Sequence, residues 1–220
     1  MRQAHLVLVT GLPGTGKTTL ARTVAARYRV PLICKDTIKE PLLDVIGAVD
    51  RVQSRKLSDA SFAVMFALAG ECLRAGNDLV LEGNFRPGEH EVQVEALMAA
   101  VQGPNASPAQ NMSGSRPPEP ATAPARPSPA AGLRIAQILC RAPESIRIAR
   151  LKARATDLSR HAGHRDAELA DQPPAAAQLD LLDLSSERLV FDTDAMTWAQ
   201  IDRSQVQALL DRLDLWHKTG

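Results

Sequence analysis

Residues 11 to 18 form the pattern G-x-x-x-x-G-K-[ST], whose residue types are suited to binding phosphate groups. Glycines let the backbone fold so that several N–H groups point toward one anion, and a helix that begins there adds its positive end. Lys17 supplies a mobile positive charge to the transferring phosphoryl group, and the Thr18 hydroxyl supplies one Mg²⁺ ligand. A glycine-rich turn with a chance lysine is the alternative, but here the pattern follows a predicted strand and opens a predicted helix. The predicted nucleotide-binding residues of this P-loop are Gly11, Leu12, Pro13, Gly14, Thr15, Gly16, Lys17, Thr18 and Thr19.

Two carboxylates stand at the ends of further predicted strands. Asp36 follows the second strand, 19 residues after Lys17, where a carboxylate can accept the proton of an acceptor hydroxyl. Its alternative role is to cap a helix that begins at Thr37. Glu82 ends the third strand, where P-loop proteins carry the acidic residue that faces Mg²⁺ directly or through water. The alternative for Glu82 is a solvated charge at a strand end.

Three arginines follow the fourth predicted strand. Arg150 and Arg154 are four residues apart, which places them on one face of a helix, and Arg160 comes soon after. Guanidinium groups that close over a nucleotide would neutralise the charge of the transferring phosphoryl group, so these residues predict a lid. Since Arg147 and Lys152 make the same helix basic all round, a solvated face is the alternative.

His161 and His164 lie in the same segment. Two histidines without a nearby cysteine make a poor metal site, so the pair favours a lid loop that contacts phosphates.

The composition limits the class of protein. Of 220 residues, 45% are hydrophobic and 23% charged, and 26 basic against 25 acidic side chains give a net charge of +1. This balance excludes a globally basic nucleic-acid coat, and an aromatic content of 3% argues against a stacking platform for single strands. No stretch reaches the roughly 18 apolar residues of a membrane span, and no signal peptide is predicted. Three widely spaced cysteines without C-x-x-C indicate a reducing compartment, so we expect a cytoplasmic protein with no membrane partner.

Apolar runs of strand type alternate with stretches of helical periodicity along the chain. The predicted strands span residues 5–9, 31–34, 78–81, 133–140 and 188–191. The predicted helices span residues 17–29, from 37 onward, 58–73 with Ser58 as N-cap, 89–101, 144–157 and 201–213. This alternation predicts an α/β fold, with a parallel sheet covered by helices on both faces.

The segment from Gly103 to Gly132 has a different composition from the rest. Eight of the 15 prolines lie between Pro104 and Pro129, among alanine, serine and glutamine. Such a segment cannot bury enough apolar surface to offset its ordering entropy, so we expect a disordered insertion. Residues 1–102 and 133–220 then form a single domain. The insertion could instead bind a proline-binding partner.

An ordered set of motifs resembles one family. The motifs are GLPGTGKTT at 11–19, KDTIKE at 35–40, LEGNFR at 81–86, RHAGH at 160–164 and DTD at 192–194. Together they resemble bacterial kinases of the AAA-type ATP-binding group of P-loop proteins, relatives of chloramphenicol phosphotransferase, zeta toxin and the kinase domain of polynucleotide kinase. The family's lid motif usually reads RHPGH, so Ala162 leaves this loop less pre-organised than a proline would. The proline-rich insertion is a second departure.

The resemblance implies a P-loop NTPase fold with a five-stranded parallel sheet and a mobile lid that carries Arg150, Arg154 and Arg160. It also implies phosphoryl transfer from ATP, with Asp36 at the position of the carboxylate that activates the acceptor. Together with the motif chemistry, this predicts an enzyme that moves the γ-phosphate of Mg·ATP to a hydroxyl of a small molecule.

Two other functions remain open at this point. One is a nucleotide-dependent switch or ATPase adaptor, for which the proline-rich segment would bind the partner. The other is a 5′-hydroxyl nucleic-acid kinase, which keeps the chemistry and changes the acceptor; the net charge and the low aromatic content argue against it.

Overall fold

The computed structural model describes residues 3–47, 50–102, 133–157, 161, 166–171 and 179–218. The strands are β1 (Ala4–Gly11), β2 (Leu32–Cys34), β3 (Leu79–Glu82), β4 (Leu133–Arg141) and β5 (Glu187–Asp192). The helices are α1 (Lys17–Tyr28), α2 (Lys35–Ile46), α3 (Arg51–Arg74), α4 (Glu91–Gln102), α5 (Glu144–Ala155), α6 (Asp166–Asp171) and α7 (Arg203–Lys218). A 3₁₀ turn, Trp198–Gln200, precedes α7.

The five strands form one parallel sheet in the order β2-β3-β1-β4-β5. The strand β1 is buried along its whole length because it lies in the centre of the sheet, between β3 and β4. The predicted α/β P-loop fold is thereby confirmed, with five parallel strands and helices on both faces.

Alternate residues of the strands point into two separate hydrophobic cores. The first core lies against α3 and α4, and its buried side chains include Leu6, Leu8, Met65, Leu81, Phe85, Leu97 and Ile135. The second core lies against α1 and α7, and its buried side chains include Val7, Val9, Leu20, Val24, Ile138, Leu209 and Leu213. The sheet is therefore covered by helices on both faces. The loops lie where the strands begin and end.

The start of α3 differs from the prediction. Asp50, not Ser58, is the N-cap, and its side chain accepts a hydrogen bond of 2.8 Å from the N–H of Gln53. Because the first residues of the helix are mostly exposed, as Val52 is, they lack the apolar periodicity that would reveal it. Ser58 lies inside the helix.

Two further helices also differ from expectation. The helix α2 begins at Lys35, two residues before its predicted start, and continues through Pro41 to Ile46. The short helix α6 lies between the predicted helix 144–157 and the predicted strand 188–191, where no element was predicted.

The proline-rich stretch 103–132 lies outside the described residues. Its disorder and the single-domain organisation stay predictions.

Among the described residues, no helix is both long and apolar enough to cross a membrane.

Leu213 tests the packing of α7 on the second core. We expect Leu213→Ala to lower the free energy of unfolding by about 2–5 kcal/mol, because the side chain is fully buried. Chemical denaturation followed by circular dichroism measures the change. The control Val92→Ala shortens a side chain on α4 that is 73% exposed, and it should change stability by less than about 0.5 kcal/mol. Equal effects in both variants would contradict the placement of α7.

Candidate active site

The P-loop connects the end of β1 to the start of α1 at the carboxyl edge of the sheet. Gly11 and Gly14 have φ angles of 151° and 88°, which side-chain-bearing residues rarely adopt. A Cβ on Gly11 would lie 2.5 Å from the carbonyl oxygen of Cys140, and one on Gly14 would lie 2.9 Å from Arg147 Cγ. The loop therefore packs too closely against β4 and α5 for any other residue at these two positions.

The N-terminal end of α1 directly follows the P-loop and has no side-chain cap among the described residues. Gly16 is the N-cap of α1 and has no side chain that could accept hydrogen bonds from the first N–H groups of the helix. Inside the loop, the N–H and hydroxyl of Thr15 both donate to the carbonyl of Leu12, at 3.3 and 2.8 Å. This arrangement leaves the helix end available for phosphate oxygens. Thr18 and Thr19 lie half-buried in the first turn of α1.

Two buried arginines of α5 hold the P-loop carbonyls. Arg147 Nη1 donates to the carbonyl of Pro13 at 3.3 Å, and Arg150 Nη1 donates to that of Gly14 at 2.9 Å. Since C=O and N–H of a trans peptide point in opposite directions, holding the Pro13 carbonyl against α5 directs the N–H of Gly14 away from α5. Glu144 accepts two hydrogen bonds from Arg147 Nη2, at 2.7 and 2.9 Å, and fixes that side chain.

The guanidinium of Arg150 also binds the segment after β5. It donates to the hydroxyl of Thr193 at 2.8 Å, to the carbonyl of Met196 at 3.2 Å and to the carbonyl of Ala195. With the bond to the P-loop, four of the five N–H groups of the guanidinium are engaged. Arg150 therefore joins the P-loop to the loop that follows β5.

This position of Arg150 differs from the predicted lid. Only 8% of Arg150 is exposed, and its donors point at carbonyl oxygens of the protein rather than outward over a nucleotide. Arg154 lies half-buried one turn further along α5, and its nearby charge adds to burial in lowering the pKa of Arg150. Arg160 lies outside the described residues, so its role in a lid stays a prediction, as does that of Arg154.

Lys17 and Glu82 face each other at the end of the central strands. Lys17 Nζ lies 3.7 Å from Glu82 Oε1, and the Glu82 side chain is only 2% exposed. Glu82 is held there by the sheet, where it pairs in register with Val9 of β1 and with Cys34 of β2. The separation exceeds hydrogen-bond length, so the two charges attract each other without a direct bond.

Asp36 lies one strand further along the same edge. It occupies the first turn of α2, so the cap role considered for it at Thr37 does not apply. Lys35 Nζ lies 2.7 Å from Asp36 Oδ1, and Lys35 is buried whereas the Asp36 side chain is 37% exposed. The ammonium group compensates the carboxylate charge and leaves the carboxylate accessible from solvent.

His161, which belongs to the segment predicted as a lid, contacts α2. His161 Nε2 lies 2.8 Å from Asp44 Oδ1 on α2. His161 therefore lies against the helix that carries Asp36. His164 lies outside the described residues.

Two site residues were missed by the sequence interpretation. Arg147 was cited only as a sign that the helix is basic all round, although its spacing of three from Arg150 places both on one face of α5. No role was predicted for Lys35. It follows an apolar strand together with Asp36, and the sequence does not show which of these two charged side chains is buried. Spacing could have identified Arg147, whereas the sequence carries no comparable signal for Lys35.

The residues present fit a nucleotide phosphate group and a divalent cation. The close packing around Gly11 and Gly14 forms a concave backbone whose donors are suited to anionic oxygens. Thr18 and Glu82 offer oxygen ligands of the kind that Mg²⁺ prefers. Lys17 would pair with the phosphates.

Comparisons with known proteins find several similar kinases. Residues 6–109 match the model of a family described as AAA domain. The chain is similar to cytidylate kinases of Pyrobaculum neutrophilum (38% identity) and Pyrobaculum arsenaticum (34%), each over 82 residues that cover 36% of this chain and 44% of that protein. The match thus spans less than half the length of these relatives. A solved structure of a candidate kinase from Chloroflexus aurantiacus is 27% identical, has a TM-score of 0.70 and covers 96% of this chain and 98% of that chain.

The fold, the P-loop and these similarities together make the chain a kinase-like P-loop NTPase. The narrower relationship to chloramphenicol phosphotransferase, zeta toxin and polynucleotide kinase stays a prediction, as does a bacterial origin.

Arg150 provides a test of how the P-loop is held. We expect Arg150→Met to weaken ADP binding by about tenfold or more, because a charged hydrogen bond to the loop is worth roughly 1.5–3 kcal/mol. Isothermal titration calorimetry measures the affinity, and circular dichroism shows whether the variant is folded.

The matched control is Arg203→Met at the exposed start of α7, which should bind ADP as the wild type does. Unchanged ADP affinity in Arg150→Met, with phosphoryl transfer lost, would support a direct role in the reaction instead of the holding role.

The thiols give a second test. Burial raises the pKa of Cys34 to about 12 and that of Cys140 to about 12, so both stay protonated and unreactive at neutral pH. Cys72 is only half-buried. We expect Ellman's reagent to modify Cys72 first in the native protein, and Cys34 and Cys140 only after unfolding. Fast modification of all three thiols without denaturant would contradict the described packing.

Proposed function

We propose that the chain is a small-molecule kinase that moves the γ-phosphate of Mg·ATP to a hydroxyl group. The proposal rests on one observation: the order in which charged groups follow one another along the carboxyl edge of the sheet. In open α/β sheets, ligands bind outside this edge.

Because β3 lies between β1 and β2, Glu82 stands between the P-loop and Asp36. Neighbouring strands are about 4.8 Å apart. A phosphate-binding loop, a carboxylate suited to a cation and an accessible carboxylate thus lie side by side. Phosphoryl transfer needs these three groups in that sequence, for the donor, the cation and the acceptor.

The donor half of the site consists of the P-loop and its neighbours. The backbone N–H groups and Lys17 would hold the phosphates, and Thr18 together with Glu82 would hold Mg²⁺. When bound, Mg²⁺ neutralises charge on the phosphate oxygens during transfer. Lys17 can exchange Glu82 for a phosphate oxygen, because it lies only 3.7 Å from that carboxylate and makes no hydrogen bond to it.

The acceptor half is built around Asp36. Its carboxylate would orient the acceptor hydroxyl and take the proton that the oxygen loses as it bonds to phosphorus. Lys35 supports this role because its ammonium group, 2.7 Å from Asp36 Oδ1, fixes the carboxylate orientation.

A lid would complete the site. The contact between His161 and Asp44 supports a closing segment that meets α2 over the acceptor side. In this proposal Arg154 and Arg160 face the phosphates from that segment, and closure excludes water, which suppresses hydrolysis of ATP. Arg150 acts instead by holding the P-loop.

A nucleotide acceptor is a second candidate, favoured by the similarity to cytidylate kinases over 82 residues. Cytidylate would then take the place of the hydroxyl compound. The same donor half serves both reactions, so only the acceptor distinguishes them.

Asp36→Asn tests the proposal directly. The variant keeps the shape of the side chain and removes the base, so acceptor phosphorylation should fall by about 10²–10⁴-fold. ATP affinity should stay near the wild-type value, because Asp36 lies two strands away from the P-loop. The assay combines γ-³²P-ATP, Mg²⁺ and a metabolite extract, and a parallel reaction contains cytidylate as acceptor. Mass spectrometry of the labelled product identifies the acceptor.

The control Glu95→Gln removes an exposed carboxylate from α4 and should behave as the wild type does. Equal loss of ATP binding and phosphorylation in Asp36→Asn would contradict its role as base. Label released only as free phosphate, at the same rate in both proteins, would favour an ATPase or switch.

A further inference from the structure

A second cluster of polar side chains lies at the opposite end of the sheet from the P-loop. His5 stands near the start of β1, Asp78 directly precedes β3, and His217 lies in the last turn of α7. From His5 to Gly11 the strand rises about 3.3 Å per residue, or roughly 20 Å in all. The cluster is therefore separate from the candidate active site.

The side chains of His5 and Asp78 are almost fully buried, whereas that of His217 is 33% exposed. His5 Nδ1 lies 3.3 Å from Asp78 Oδ1, and His217 Nε2 lies 3.4 Å from Asp78 Oδ2. One ligand atom from each of the three residues lies within 4.8 Å of the other two.

These separations are long for hydrogen bonds, whose most common N···O distance is about 2.9–3.0 Å. They agree with the spacing between ligands around one metal ion. With bonds of about 2.0–2.1 Å in tetrahedral geometry, neighbouring ligand atoms are about 3.3–3.4 Å apart. The distance from His5 to one oxygen of Asp78 and the distance from His217 to the other oxygen both have this length.

From this geometry we propose that His5, Asp78 and His217 bind a divalent transition metal ion of the zinc type. Two imidazole nitrogens and a carboxylate oxygen are common zinc ligands, and the fourth position would be open to water. Imidazole-rich sites favour zinc over magnesium, which prefers oxygen ligands. The site is thus chemically distinct from the oxygen ligands that Thr18 and Glu82 offer.

The surrounding contacts orient Asp78, whereas His217 must reorient to bind an ion. The backbone N–H of His5 donates to Asp78 Oδ1 at 3.0 Å, which orients the carboxylate. The ring of His217 stacks between those of His5 and Tyr28, with centroid distances of 4.3 and 5.3 Å. A metal-bound nitrogen must direct its lone pair at the ion, so His217 has to turn out of its stack with His5. Its exposure makes that rotation and the entry of an ion feasible.

A bound ion would join α7 to the two central strands. Besides the apolar packing of the second core, α7 is held to α1 by Tyr28, whose hydroxyl donates to Asp214 Oδ1 at 2.8 Å. A metal at His217 would add a link from the same end of α7 to β1 and to the residue before β3. The expected consequence is greater thermal stability of the loaded protein, without any change in the P-loop.

The test uses the full chain, treated with EDTA and dialysed, in the absence of nucleotide. Zn²⁺ is titrated against a chromogenic chelator, and Co²⁺ is added separately to record its absorption spectrum. We expect one ion per chain, visible absorption typical of four-coordinate Co²⁺, and a melting temperature that rises by about 5–10 °C at a hundredfold excess of Zn²⁺ over its Kd. His217→Gln should weaken Zn²⁺ binding at least tenfold.

His161→Gln is the matched control, since it removes a histidine near the candidate active site and should leave Zn²⁺ binding unchanged. A wild type that neither binds Zn²⁺ nor gives the Co²⁺ spectrum would overturn the proposal and leave a hydrogen-bonded cluster only. Equal Zn²⁺ binding by His217→Gln and wild type would overturn it as well. The Co²⁺ spectrum of the wild type is decisive even where a variant folds poorly.

Discussion

The candidate active site depends on the orientation of a few peptide groups between Gly11 and Gly16. A phosphate-binding loop works only if its N–H groups point inward, so its carbonyls must be bound elsewhere. Here α5 supplies that binding, through Arg147 and Arg150. Burying a guanidinium is costly unless its donors are satisfied, and Arg150 satisfies four of them with oxygens of the P-loop and of the loop after β5. The same bonds thus stabilise the buried charge and the loop.

The parallel sheet converts this local geometry into a site. Since all five strands run in the same direction, every strand ends at the same edge, and the central position of β1 places the P-loop in the middle of it. Glu82 and Asp36 approach the loop only because β3 and β2 follow β1 in that order. Neither carboxylate needs a special local conformation, and the strand order alone brings them together.

The sequence predicted the parts of the site that depend on local pattern. The P-loop is contiguous in the sequence. Asp36 and Glu82 stand at the ends of apolar strands, so their position at the carboxyl edge of the sheet could be inferred. The place of Arg150 could not, because periodicity shows that α5 has a basic face without showing whether that face meets solvent or carbonyl oxygens. The start of α3 was missed because its first turns carry exposed apolar and charged residues. The cluster of His5, Asp78 and His217 was also missed, since only the folded chain brings together residues so distant in sequence.

Charge balance at the P-loop links the binding of nucleotide to that of the cation. Glu82 is buried and its nearest described cation is Lys17, 3.7 Å away. If Lys17 moved to a phosphate group alone, Glu82 would be left as a buried carboxylate facing further negative charge, which is unfavourable. If Glu82 gained a divalent cation at the same time, Lys17 would pair with the phosphate and Glu82 would pair with the cation. Each group would then still face a group of opposite charge. At Asp36 no such unbalanced negative charge arises, because the ammonium group of Lys35 already neutralises the carboxylate. The acceptor therefore needs no positive charge of its own, which is consistent with a neutral hydroxyl compound.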